Sequence, residues 1–312
     1  MGHRGHFVWY ELLTTDVAAA SRFYGSIMRW GTRDASTPGL TYSLLTAEQV
    51  PVSGVMDLPP EGRKQGATPR WIGYVAVEDV DTCVAQVKRL GGVVFVPPND
   101  SNIGRISVLA DPQAATLAVV SGLRYGETRL AQLSQSGRVG WHELLAVDAA
   151  ESLVFYRELF GWEAAAARTG PVESYRMFAV GGQPLGGMFN KLPSVPAPFW
   201  LYYFNVGDLD EAMARVRSGG GEVFQGPIEL PDGGWMARCI DPQQAMFALQ
   251  GPRREANIRR TPAPDTAALR WSTRWGDIAS QGRLVAAPKP KSGAASKAAA
   301  GKGAGPPKPS GR

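Results

Sequence analysis

Two glutamates occupy matching positions in two similar stretches of the chain. Glu11 lies within Trp-Tyr-Glu-Leu-Leu at residues 9–13, and Glu143 lies within Trp-His-Glu-Leu-Leu at residues 141–145. A glutamate that faces inward from a strand can hold a polar group of a ligand or act as a general base. It can equally be held by an arginine or by backbone amides, with no part in function. The sequence leaves these uses of Glu11 and Glu143 open.

The similarity between the two stretches extends over most of the chain. An Asp, a Phe-Tyr pair and a Trp follow each glutamate, and all of them match at a displacement of 132 residues. Asp79-Val80-Asp81 has a counterpart after 129 residues, and Asp-Pro-Gln at residues 111–113 recurs after 130. A fixed order with nearly fixed spacing indicates an internal duplication. We therefore predict two domains, residues 6–122 and 138–251, joined by a linker at residues 123–137.

Hydrophobic patterning predicts that each domain contains two βαβββ units. In the first unit a strand over Phe7–Leu13 precedes a helix capped by Asp16, and three short apolar runs follow. The second unit repeats this pattern with a strand over Trp71–Val77 and a helix from Asp79 to Leu90. An Asp at a helix start accepts hydrogen bonds from the first backbone amides, and a Gly-Gly pair ends the second helix. The predicted fold class is therefore α+β.

The charges divide the chain into a mildly acidic part and a basic end. Residues 1–251 carry 20 Lys and Arg against 25 Asp and Glu, whereas residues 252–312 carry 13 against 3. We predict an extension of undetermined structure at residues 252–282 and a disordered tail, rich in Lys, Pro, Ala and Gly, at residues 283–312. We favour a solubilising tail. The alternative is weak, salt-sensitive contact with nucleic acid, without base stacking because the tail has no aromatic residues.

The sequence indicates neither a signal peptide nor a membrane span. No uninterrupted apolar run reaches membrane-spanning length, so no membrane partner is expected. The two cysteines, Cys83 and Cys239, occupy unrelated positions of the two copies and suggest no disulfide framework. We expect a soluble cytoplasmic protein.

In combination, these motifs resemble the vicinal oxygen chelate superfamily, the fold of glyoxalase I, extradiol dioxygenases, and fosfomycin and bleomycin resistance proteins. The resemblance rests on the paired βαβββ units, the Asp-capped helix with its Phe-Tyr pair, and the Asp-Pro-Gln turn before the last strand. It covers nearly all of residues 6–251. It implies that each domain forms a curved mixed sheet around a cup and that the halves pack as an internal pseudo-dimer. A further homodimer stays open.

The resemblance also implies where a metal ion would bind. Metal-binding members take His, Gln or Glu ligands from strands that face the cup. The corresponding positions carry apolar side chains in both copies: Trp9, Met56, Ile72 and Ala118, and Trp141, Met188, Leu201 and Ala248. None of them offers the N or O donor that a divalent ion needs. One glutamate in each copy is too few, and His142 faces away from its neighbour Trp141. We therefore expect no metal cofactor.

The sequence thus favours metal-independent binding of a small apolar or aromatic molecule. Bleomycin resistance proteins, which sequester a drug, are the precedent that the resemblance implies. The predicted ligand-binding residues are Trp9, Glu11, Met56, Ile72, Trp141, Glu143, Met188 and Leu201. One alternative is a glyoxalase- or dioxygenase-like enzyme that uses unconventional metal ligands, or Glu11 or Glu143 as a base. Another is an interaction scaffold whose tail contacts a polyanion.

Overall fold

Two eight-stranded sheets, one in each half of the chain, make up the fold. The computed structural model describes residues 3–64, 66–125, 134–165, 175–230 and 233–254. The first half contains β1 (Phe7–Thr14), α1 (Val17–Met28), β2 (Gly31–Asp34), β3 (Tyr42–Ala47), β4 (Val50–Asp57), α2 (Pro60–Lys64), β5 (Arg70–Ala76), α3 (Val80–Arg89), β6 (Val93–Ser101), β7 (Gly104–Ala110) and β8 (Thr116–Ser121). The second half contains β9 (Val139–Ala146), α4 (Ala149–Phe160), β10 (Glu163–Ala164), β11 (Arg176–Val180), β12 (Gln183–Asn190), β13 (Phe199–Asn205), α5 (Leu209–Ser218), β14 (Glu222–Glu229), β15 (Trp235–Ile240) and β16 (Met246–Gly251).

Each half follows the predicted order of two βαβββ units. Strand β1 pairs in parallel with β4 and antiparallel with β5, so the two units of the first half meet along these central strands. The first sheet has the order β2-β3-β4-β1-β5-β8-β7-β6, and the second has the equivalent order β10-β11-β12-β9-β13-β16-β15-β14. Both sheets are mixed, because they contain parallel and antiparallel pairs. The predicted tandem α+β fold is confirmed.

The four long helices begin at the aspartates that the sequence predicts as caps. Asp16 accepts a hydrogen bond from the backbone amide of Ala19 at 2.9 Å, and Asp79 accepts one from Thr82 at 2.6 Å. Helices α4 and α5 begin in the same way. Each cap satisfies an amide that has no partner within its helix, and is typically worth about 1 kcal/mol. The short helix α2 lies between β4 and β5, where the two βαβββ units of the first half are joined.

The helices lie against one face of each sheet and join the two halves. Tyr24 on α1 donates to the carboxylate of Asp241 in the other half at 3.0 Å, and Tyr156 on α4 donates to Asp111 at 3.1 Å. The sequence repeat relates these two bonds, so the halves contact each other in a nearly symmetrical way. One hydrophobic cluster contains residues of both halves on this side of the sheets. The opposite face of each sheet forms a separate cup.

The predicted C-terminal segments lie almost entirely outside the described residues. Of the extension at residues 252–282, the structure describes residues 252–254, and the tail at residues 283–312 lies wholly outside. Across the described part of the chain, no helix is long and apolar enough to cross a membrane.

Candidate functional site

Strand β1 presents alternate side chains to opposite faces of the first sheet. Trp9 belongs to a buried cluster in the cup, and Glu11 and Leu13 follow on the same face. Tyr10 and Leu12 belong to the cluster on the helix side. This alternation follows from the two-residue period of a strand. It brings the glutamate into the cup.

The first cup contains a cavity of about 490 Å³. Its lining includes Tyr42 on β3 and Val96 on β6, so the sheet curves until strands near its two ends face one space. The segment between β4 and β5 contributes Leu58 and Pro59 to the wall. Three charged side chains interrupt an otherwise largely apolar lining: Glu11, Glu61 and Arg70.

Glu11 is almost fully buried although it lines this cavity. Tyr42 donates to its Oε1 at 2.5 Å, and Tyr74 donates to its Oε2. Burial raises the pKa of Glu11, and the two tyrosine hydrogen bonds oppose that rise only in part. Among the described residues, no Lys or Arg forms an ion pair with Glu11. The first cup therefore holds a carboxyl group by uncharged donors, with no cation of the described residues beside it.

Arg238 distinguishes the second cup from the first. Its Nη2 lies 2.8 Å from Oε2 of Glu143, and its Nε donates to the Tyr203 hydroxyl at 3.0 Å. Tyr203 donates to the same carboxylate, and Tyr175 donates to its other oxygen at 3.2 Å. Burial disfavours the charge on Arg238, but Tyr203 and Glu143 outweigh burial and raise the pKa of the guanidinium. Arg238 thus balances the charge of Glu143 in a buried ion pair.

Strand pairing identifies Val108 as the counterpart of Arg238 in the first cup. Arg238 on β15 pairs with Ala248 on β16, and Val108 on β7 pairs with Ala118 on β8. Ala118 is the repeat counterpart of Ala248. The tyrosines that contact the glutamates, by contrast, recur in both copies. The two cups therefore share a tyrosine-held glutamate and differ in the cation beside it.

Most of the predicted ligand-binding residues lie in the cups, in two separate groups. In the first, Trp9 and Ile72 belong to the buried cluster and Met56 packs against it. Ile72 and Met56 line the cavity, whereas Trp9 is 1% exposed and lies behind the lining residues. In the second, Leu201 belongs to the buried cluster and Trp141 packs against it.

Met188 lies on the helix side of its sheet, which corrects its expected place in the second cup. It pairs with Leu144 on β9, whereas Phe189 pairs with Leu145, a residue of the second cup. Tyr175 follows Glu143 by 32 residues, whereas its counterpart Tyr42 follows Glu11 by 31, so the second copy has one additional residue in this segment. A shift of one residue along a strand reverses the face of every side chain. Phe189 is therefore the counterpart of Met56.

Five side chains that contact the two glutamates are absent from the sequence-based candidates: Tyr42, Tyr74, Tyr175, Tyr203 and Arg238. The repeat contains a signal for the tyrosines, because they recur at displacements of 133 and 129 residues. No such signal exists for the arginine, since its counterpart is a valine. Its contact depends on the sheet order, which brings β15 across the cup from β9.

The donor groups of the cups do not fit the metal site that the resemblance implies. The central strand of each sheet supplies one buried carboxylate to its cup, and the oxygens of that carboxylate already accept hydrogen bonds from tyrosine or arginine. The other carboxylate of the first cup, Glu61, is exposed and pairs with Lys64. In the ranges that the structure describes, no three His, Cys, Asp or Glu side chains form a group that could hold a metal ion. Indole, alkyl and thioether groups at the other positions are unsuited to a hard divalent cation.

His142 lies on the helix side of β9, between the two halves. Its Nε2 is 2.7 Å from the Tyr10 hydroxyl, and its Nδ1 is 2.7 Å from the carbonyl oxygen of Leu185. A carbonyl oxygen only accepts, so Nδ1 carries the proton and Tyr10 donates to Nε2. Burial lowers the pKa of His142 to about 4. This histidine joins the halves and takes no part in either cup.

Comparison with known sequences identifies related proteins. The family model of the Glyoxalase/Bleomycin resistance protein/Dioxygenase superfamily matches residues 138–249. CFP32 of Mycobacterium tuberculosis, a protein named as a glyoxylase, is 34% identical over 248 residues, which cover 78% of this chain and 94% of CFP32. The anthracycline biosynthesis protein DauV of Streptomyces sp. strain C5 is 30% identical over 257 residues, covering 77% of this chain and 91% of DauV.

Two solved structures have a similar fold. The Mn(II)-bound glyoxalase of Novosphingobium aromaticivorans has a TM-score of 0.57 at 13% identity, covering 80% of this chain and 83% of that enzyme. The 2,3-dioxygenase LapB of Pseudomonas sp. KL28 has a TM-score of 0.56 at 11% identity, covering 85% and 96%. At these identities the likeness concerns the fold alone.

Proposed function

The chain belongs to the glyoxalase/bleomycin resistance protein/dioxygenase superfamily, and from this premise we propose that its first domain binds a small, largely apolar or aromatic molecule without a metal ion. The observation that carries the proposal is the cavity of about 490 Å³ in the first cup. Small-molecule sites typically measure roughly 300–1,000 Å³. The apolar lining favours an apolar guest, because binding removes both surfaces from water. Met56, with its flexible thioether, suits guests of varied shape.

We assign binding to the first cup because buried polar groups surround the glutamate of the second. Arg238 is 2% exposed and donates to Glu143, Tyr203 and Gln225. A ligand beside Glu143 would have to displace these groups and leave a buried charge unpaired, which is costly. In the first cup Val108 occupies the position of Arg238, so a ligand beside Glu11 would not leave a buried charge unpaired.

The name of one relative agrees with this class of ligand. DauV is named for anthracycline biosynthesis, and anthracyclines are fused-ring aromatic molecules. Fused aromatic rings present two flat, apolar faces. A molecule of this kind belongs to the class of guests that the cavity lining favours.

Val108→Phe tests the location of the proposed site. The larger ring would project into the cavity, because Val108 lines it. We expect two- and three-ring aromatic compounds to raise the Tm of the parent protein, and Val108→Phe to abolish most of that rise. Val147→Phe, at a position that is 56% exposed in the second half, is the matched control and should respond like the parent. Equal stabilisation of the parent and Val108→Phe would contradict the assignment.

Metal analysis tests the metal-free part of the proposal. Purified protein would be assayed for Fe, Mn, Ni and Zn, and ligand-induced stabilisation would be measured before and after chelator treatment. We expect no stoichiometric metal and an unchanged rise in Tm. A stoichiometric metal whose removal abolishes binding would overturn metal-independent binding.

A second candidate function is catalysis with Glu11 as a general base. The observation that favours it is that Glu11 lines the cavity while burial raises its pKa, which makes the ionised form a stronger base. Glu11→Gln preserves the size of the side chain and removes its basicity. Catalysis requires this variant to bind a substrate and fail to turn it over, whereas a binding protein would show no turnover even as the parent.

A further inference from the structure

We propose that Arg70 makes the first cup selective for aromatic carboxylates. This inference rests on the proposed function, since it names the class of ligand that the same cavity takes. Arg70 begins β5, is half-buried, and lines the cavity together with Leu13, its pairing partner on β1. It is thus a cation on the wall of a largely apolar space.

The Arg70 guanidinium is oriented, and its terminal nitrogens are available to a ligand. Its Nε donates to the carbonyl oxygen of Thr68 at 3.0 Å. Within the described residues no carboxylate pairs with it, and burial lowers the pKa of Arg70 with no opposing contribution from an acid. Nη1 and Nη2 therefore remain for a ligand. A guanidinium edge binds a carboxylate through two parallel hydrogen bonds, which orient the ligand as well as hold it.

The second half of the chain indicates that the fold does not require an arginine here. Arg70 pairs with Leu13, and Phe199 pairs with Leu145, the repeat counterpart of Leu13. Phe199 packs against the apolar cluster of the second cup. A half-buried cation without an acidic partner costs free energy, whereas a phenylalanine at the same place contributes packing. The arginine thus points to a function of the first cup.

The other charged residues of the lining do not neutralise Arg70. Both oxygens of Glu11 accept tyrosine hydrogen bonds, and burial raises the pKa of Glu11, which reduces negative charge in the cavity. Glu61 pairs with Lys64 at 2.8 Å, and both of these side chains are exposed. Arg70 is therefore a cation of the cavity lining without an acidic partner among the described residues, and an anionic ligand in the cavity would pair with it.

Binding of 2-naphthoate and its uncharged methyl ester, measured by isothermal titration calorimetry, tests this inference. The two compounds share the aromatic body and differ in the charge of one group. We expect the parent protein to bind the carboxylate at least tenfold more tightly than the ester. Arg70→Phe, which installs the side chain of the second half, should weaken naphthoate binding at least tenfold and leave ester binding within about threefold. Arg33→Gln removes an exposed arginine of β2 and should bind both compounds like the parent.

The outcomes separate this inference from the proposed function. If the ester binds as tightly as the carboxylate, or if Arg70→Phe weakens both equally, the role of Arg70 is refuted. The cavity as a site for apolar molecules then stands, provided that Val108→Phe abolishes ester binding. If neither compound binds the parent at millimolar concentration, both proposals fail.

Discussion

Glu11 and Glu143 occupy the same strand position in the two halves, yet one neighbouring residue gives them different surroundings. Arg238 contacts Glu143, whereas Val108 stands at the corresponding position of the first cup. A guanidinium stabilises a buried carboxylate as an ion, while burial without a neighbouring cation disfavours its charged form. Burial accordingly raises the pKa of Glu11. The same difference leaves space in the first cup and fills the second with polar contacts.

Arg238→Met should lower the free energy of unfolding by about 3–5 kcal/mol, because it leaves the buried Glu143 carboxylate without its cation. Urea unfolding at pH 7 measures the effect. The double variant Arg238→Met/Glu143→Gln is the control and should regain a large part of the loss, since the amide carries no charge. If the double variant is no more stable than the single one, lost packing and not an unpaired charge is the cause.

Strand β4 contains a glycine where the Tyr42 ring crosses it. A Cβ atom at Gly54 would lie 2.0 Å from the Tyr42 hydroxyl oxygen. Gly187 on β12 has the same relation to Tyr175, with 2.3 Å between a Cβ atom and the hydroxyl oxygen. The bare backbone allows Tyr42 on β3, and Tyr175 immediately before β11, to reach across to the glutamate of the central strand. The contact is therefore a property of three adjacent strands.

Gly54→Ala should destabilise the protein by about 2–4 kcal/mol, because the added methyl group displaces Tyr42 and removes a hydrogen bond to buried Glu11. Gly207→Ala is the matched control: no atom lies within 4 Å of a Cβ there, and its effect should stay within about 0.5 kcal/mol. Thermal unfolding of both variants compares the two sites. Similar Tm values for both variants would contradict the steric role of Gly54.

The order of the elements could be predicted from the sequence, whereas the contacts across the cups could not. Capping by Asp16 and Asp79 and the alternation along β1 are local features, so patterning identifies them. The face of Met188 depends on one additional residue in the preceding segment, which leaves the apolar pattern unchanged and reverses the side chain. Arg238 meets Glu143 only because β15 and β9 belong to one curved sheet. That relation is set by tertiary structure and leaves no local trace.

At the scale of the whole molecule, the two halves are joined through buried polar and aromatic contacts. Phe7 stacks on the His142 ring with centroids 4.2 Å apart, and Tyr10 donates to that ring. The backbone amide of Gly73 donates to the Tyr202 hydroxyl of the other half at 2.7 Å. These contacts lie on the helix side of both sheets, opposite the cups. Conditions that disturb this interface are therefore expected to act on the stability of both halves together.

His142 should make this interface sensitive to acid. Burial lowers the pKa of His142 from 6.5 to about 4, so unfolding takes up a proton between these values. The stability it contributes is present above pH 6.5 and is lost as the pH falls towards 4, by about 2 kcal/mol at pH 5. Burial raises the pKa of Asp111 and Asp241 to about 6. These two groups change stability in the opposite direction, because the free-energy cost of burying their charged forms diminishes as the pH falls. A comparison between variants is needed to separate these effects.

His142→Gln isolates the histidine, because both aspartates and His6, whose pKa burial also lowers, remain in parent and variant. Urea unfolding at pH 7.5 and pH 5.0 should show the stability advantage of the parent over His142→Gln shrinking by about 2 kcal/mol at the lower pH. Val154→Ala changes an exposed, non-titrating residue of α4 in the same half and should give the same difference from the parent at both pH values. An advantage over His142→Gln that does not change with pH would mean that this imidazole is not held neutral between the halves. A smaller advantage at pH 5.0 would instead establish the Tyr10–His142 contact as the acid-sensitive point of the interface that holds the two cups in one molecule.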